Sequence, residues 1–73
     1  MTDVVDSDEL LRRIRRARDC AQREERAWRT RGEGLRATDP EAAHEAAVRT
    51  LTYEAVLCVL DEILTPGKRA DGT

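Results

Sequence analysis

Between residues 50 and 64 the chain reads TLTYEAVLCVLDEIL, in which Glu54, Asp61 and Glu62 are the only charges. Nothing in this run breaks a helix, and on a helical wheel its apolar residues do not form one stripe. Ala46, Thr50, Tyr53, Leu57, Leu60 and Leu64 recur in alternating steps of four and three, which places them on one face. Thr52, Val56, Val59 and Ile63 form a second stripe, about 110° around from the first at roughly 100° per residue. Leu51, Ala55 and Cys58 add apolar character beyond it. A helix that is apolar nearly all round belongs in an interior, so this segment requires neighbours on two sides.

The ends of that helix are marked. Asp39 is positioned to cap it, Pro40 suits the first turn because its missing N–H would be unpaired there anyway, and Glu41 favours the positive end of the dipole. Thr65-Pro66-Gly67 closes it, since proline disfavours helical geometry in the residue before it. The second helix is therefore expected over about 40–64. An earlier helix is expected over about 7–31, capped by Asp6 with Glu9 three residues on as a capping-box partner. Val5 and Leu10 sit at the positions of a hydrophobic staple. Gly32-Glu33-Gly34 reads as its stop, leaving a loop at 32–38. Two helices of similar length joined by a short loop predict an all-α fold, an antiparallel two-helix hairpin over residues 6–64. Residues 1–5 read as a flexible acidic N-terminus and residues 65–73 as a disordered tail.

The first helix offers one narrow stripe, Leu10, Ile14, Ala17, Ala21, Glu24 and Trp28. Laid antiparallel against the first face of its partner, it sets Trp28 opposite Ala46, Glu24 opposite Thr50, Ala21 opposite Tyr53, Ala17 opposite Leu57, Ile14 opposite Leu60 and Leu10 opposite Leu64. Large residues meet small ones, as dense packing requires. The second stripe, Thr52, Val56, Val59 and Ile63, is left uncovered. A chain of 73 residues is marginal as a lone core, and such chains add disulfides, a metal or oligomerisation. With two cysteines, Cys20 and Cys58, and one histidine, neither a disulfide framework nor a zinc site is spelled. Both cysteines are expected as small buried hydrophobes. The expectation is a homodimer that pairs the second helices into a four-helix bundle, coiled-coil-like in its packing.

Charge is distributed unevenly. Residues 10–36 hold ten arginines against Asp19, Glu24, Glu25 and Glu33, whereas residues 37–64 hold six acids against Arg49. The helices therefore attract one another, within the hairpin or across a dimer. Arg12, Arg16, Arg23 and Arg26 lie on the outward face of the first helix as a candidate surface for an acidic protein partner or a polyanion. No phosphate loop, nucleophile elbow or dinucleotide fingerprint occurs. Glu41-Ala42-Ala43-His44 matches the spacing of a di-iron carboxylate helix, but arginines face it instead of carboxylates. No catalytic residue, metal ligand or cofactor is expected. The N-terminus lacks the basic-then-apolar order of a signal peptide, and the apolar run Ala55 to Leu60 is too short to span a bilayer, so a cytoplasmic location without membrane association is expected. The functional expectation is a small non-enzymatic interaction or regulatory module acting as a homodimeric bundle. The competing readings are a nucleic-acid-associated dimer that uses the arginine ridge, and a small subunit that docks its second helix on a larger protein.

Overall fold

A computed structural model describes residues 6–67. Two helices, α1 (Ser7–Leu35) and α2 (Pro40–Leu64), pack against each other as an antiparallel hairpin. Both N-termini are capped as their sequences require. Asp6 Oδ1 accepts from the Glu9 N–H at 2.7 Å, and Asp39 Oδ1 accepts from the Ala42 N–H at 3.1 Å, with Pro40 in the first turn of α2. Asp39→Ala removes the acceptor that holds the start of α2 and should lower stability by about 1 kcal/mol. Urea denaturation at one fixed protein concentration measures the loss.

The reciprocal arm of the α1 capping box is not made. The Glu9 carboxylate turns to arginines instead, accepting from Arg12 Nη2 at 3.1 Å and Arg13 Nε at 2.9 Å, with Arg16 Nη2 at 3.6 Å. Hydrogen bonds from Arg13 and then Arg12 hold its pKa below the ordinary carboxylate value. A depressed carboxylate stabilises the fold at neutral pH, and this contribution is lost as pH falls through the folded-state pKa. An NMR titration should therefore find the Glu9 carboxyl titrating below the ordinary glutamate value. The staple partner Val5 lies outside the described residues, as do the rest of residues 1–5 and residues 68–73.

α1 does not stop at Gly32. It continues through Gly32 and Gly34 to Leu35, and neither glycine adopts positive φ. The turn is therefore shorter than the expected 32–38 loop. The N–H groups of Thr38 and Asp39 both donate to the Leu35 carbonyl, at 3.2 and 2.8 Å, and α2 begins at once. Gly32 serves close approach instead of termination. A Cβ placed on it would lie 3.1 Å from the Ala46 Cβ and 3.6 Å from the Ala43 carbonyl oxygen. The glycine lets the helices touch near the turn, at a helix-propensity cost of about 1 kcal/mol. Gly34 faces open space, with nothing within 4 Å.

That contact sets the register one turn away from the sequence-based expectation. Ala46 meets Gly32, not Trp28. The Arg18–Asp61 ion pair at 2.5 Å fits this alignment. The phase of α1 shifts as well. Leu10 and Ala17, expected on the seam, are exposed, as is Glu24, whereas Arg18 is half-buried and Glu25 is buried. The α2 stripe of Ala46, Thr50, Tyr53, Leu57, Leu60 and Leu64 lies wholly on the buried or half-buried side.

At the C-terminal end of α2 the Thr65 N–H donates to the Asp61 carbonyl at 2.8 Å, and the Gly67 N–H donates to the Glu62 carboxylate at 3.1 Å with φ at 83°. The first residues of the expected disordered tail thus make a defined helix end. Among the described residues no helix is long and apolar enough to cross a membrane.

Candidate functional site

Charged residues that were not expected on the seam line one of its flanks. Glu25, only 6% exposed, pairs with Arg29 one turn along α1, and Arg29 reaches across to Glu54 at 2.7 Å. Arg18 Nε donates to Asp61 Oδ1 at the other end of the flank, and the Asp61 carboxylate holds the Arg18 pKa above its ordinary value. The basic-against-acidic complementarity of the two helices is therefore met in part within one chain. Thr50, also buried, donates its hydroxyl to the Ala46 carbonyl at 2.9 Å, and no described buried side-chain polar atom lacks a partner. These pairings were missed because Ala17 is the apolar choice and Arg18 is not. The signal that marks Arg18 and Glu25 is the set of opposite charges facing them, Asp61 on α2 and the bridging Arg29.

Two open grooves run end to end along one flank, sharing Arg29 and Leu51. The one nearer the turn encloses about 570 Å³ and has an apolar lining that includes Trp28, Gly32, Ala43, Ala47 and Leu51. The other, about 670 Å³, is lined by the charged network of Arg18, Glu25, Glu54 and Asp61. The Trp28 ring carries the Arg49 guanidinium carbon 4.7 Å and the Arg31 carbon 5.4 Å from its centroid, two cation–π contacts. His44 is exposed at the rim of the apolar groove. Glu41 is exposed beside it, and among the described residues no three His, Cys, Asp or Glu side chains converge as a metal site. Cys20, expected to be buried, is exposed. Cys58 is half-buried, and both are free thiols.

The back of α2 is the largest unpartnered feature. Val56 is 41% exposed, Val59 60% and Ile63 51%, with Thr52 exposed among them. Val48 and Leu51, at 48% and 63%, extend the face toward the turn. Val48 was missed because it lies among Glu45, Ala47 and Arg49, where the sequence reads as an ordinary solvated turn. On α1, Arg12 and Arg16 lean on Glu9, whereas Arg23 and Arg26 make no ion pair among the described residues.

Fold and surface together define a two-helix hairpin with ion pairs along one flank of its seam, one apolar face uncovered and an arginine-rich first helix. Comparison with protein-family models, with curated proteins and with solved structures finds no match to this chain.

Proposed function

We propose that the chain is a small, non-enzymatic protein-interaction or regulatory module that works as a homodimeric helical bundle. Two copies of α2 pack together, and α1 of each presents arginines outward to an acidic protein partner. The uncovered face of α2 carries this reading. Only Ala21 and Ala46 are buried apolar residues among those described, and no large side chain is fully buried. Light scattering of purified protein at tens of micromolar tests the reading, with twice 8.3 kDa expected. A monodisperse species of one chain's mass would remove it.

A second reading rests on Arg23 and Arg26, exposed cations without an ion-pair partner among the described residues. In this reading the α1 ridge lies along a nucleic-acid backbone, for which positive charge on one face suffices. Mobility shift at low salt separates the two. Retardation of duplex DNA or RNA at micromolar protein supports the second, and its absence leaves the protein partner.

A further inference from the structure

We draw no further inference here: the strongest candidate, the open apolar groove beside the turn between Trp28 and Leu51, is lined by both Glu33 and Arg36, so its charge selects no ligand, and nothing in the structure shows what fills it.

Discussion

Val59→Glu is expected to convert the dimer to single chains and to strip those chains of most of their helix. In an isolated hairpin Val59 is 60% exposed, so a glutamate there is nearly neutral, within about 0.5 kcal/mol. In the proposed dimer the same carboxylate is buried without a partner. An uncompensated buried charge costs about 4 kcal/mol, which weakens association roughly 1,000-fold. Among its described residues the released hairpin has only Ala21 and Ala46 as buried apolar residues, too little to hold two helices against their conformational entropy. Sedimentation and far-ultraviolet circular dichroism on one sample read both effects. Arg16→Glu is the matched control. Its side chain is 66% exposed and 3.6 Å from Glu9, so mass should not change. Unaltered mass and melting in Val59→Glu would mean that the α2 face stays open to water.

The second large effect is expected at two glycines that look equivalent in sequence. Gly32→Leu should destabilise by about 3 kcal/mol, the upper part of the usual range for overpacking. Even the first carbon of the new side chain would lie 3.1 Å from the Ala46 Cβ, so α1 must separate from α2 near the turn. Gly34→Ala should act in the opposite sense and stabilise by roughly 0.5–1 kcal/mol, since it removes unfolded-state freedom at a helical position. Nothing lies within 4 Å of a Cβ on Gly34, and its φ is not positive. Thermal melts at equal concentration, which matters for an associating protein, should move in opposite directions. A stabilising Gly32→Leu would refute the close approach.

The Gly32 result bears on why part of the hairpin was legible and part was not. Helix caps are local chemistry. Asp6 and Asp39 accept from backbone N–H groups three residues ahead, and their sequences alone place both helix starts. The C-terminal end of α1 is not local. Gly32-Glu33-Gly34 has the composition of a stop, yet a glycine serves a left-handed cap and a helix–helix contact equally well. Only the presence of Ala46 opposite decides between them. Once α1 extends to Leu35 the seam slides a turn, and Leu10, Ala17 and Glu24 leave it. Arg18 and Glu25 enter because Asp61 and Arg29 neutralise them, with Glu54 meeting the other end of Arg29. An apolar-stripe reading has no means of ranking a paired charge above an unpaired alanine.

The α2 face differs. That Thr52, Val56, Val59 and Ile63 lie away from the α1 stripe follows from helical periodicity and needs no knowledge of the partner helix. The two stripes of α2 are fixed by the spacing of the side chains along one helix, at about 1.5 Å rise per residue. By itself, then, the sequence determined two capped helices and an α2 with one apolar side too many. The tertiary structure decided where α1 ends, which residues of α1 touch α2 and which arginines remain outside. Those depend on the distance between two backbones, and that distance is set by a missing side chain at Gly32.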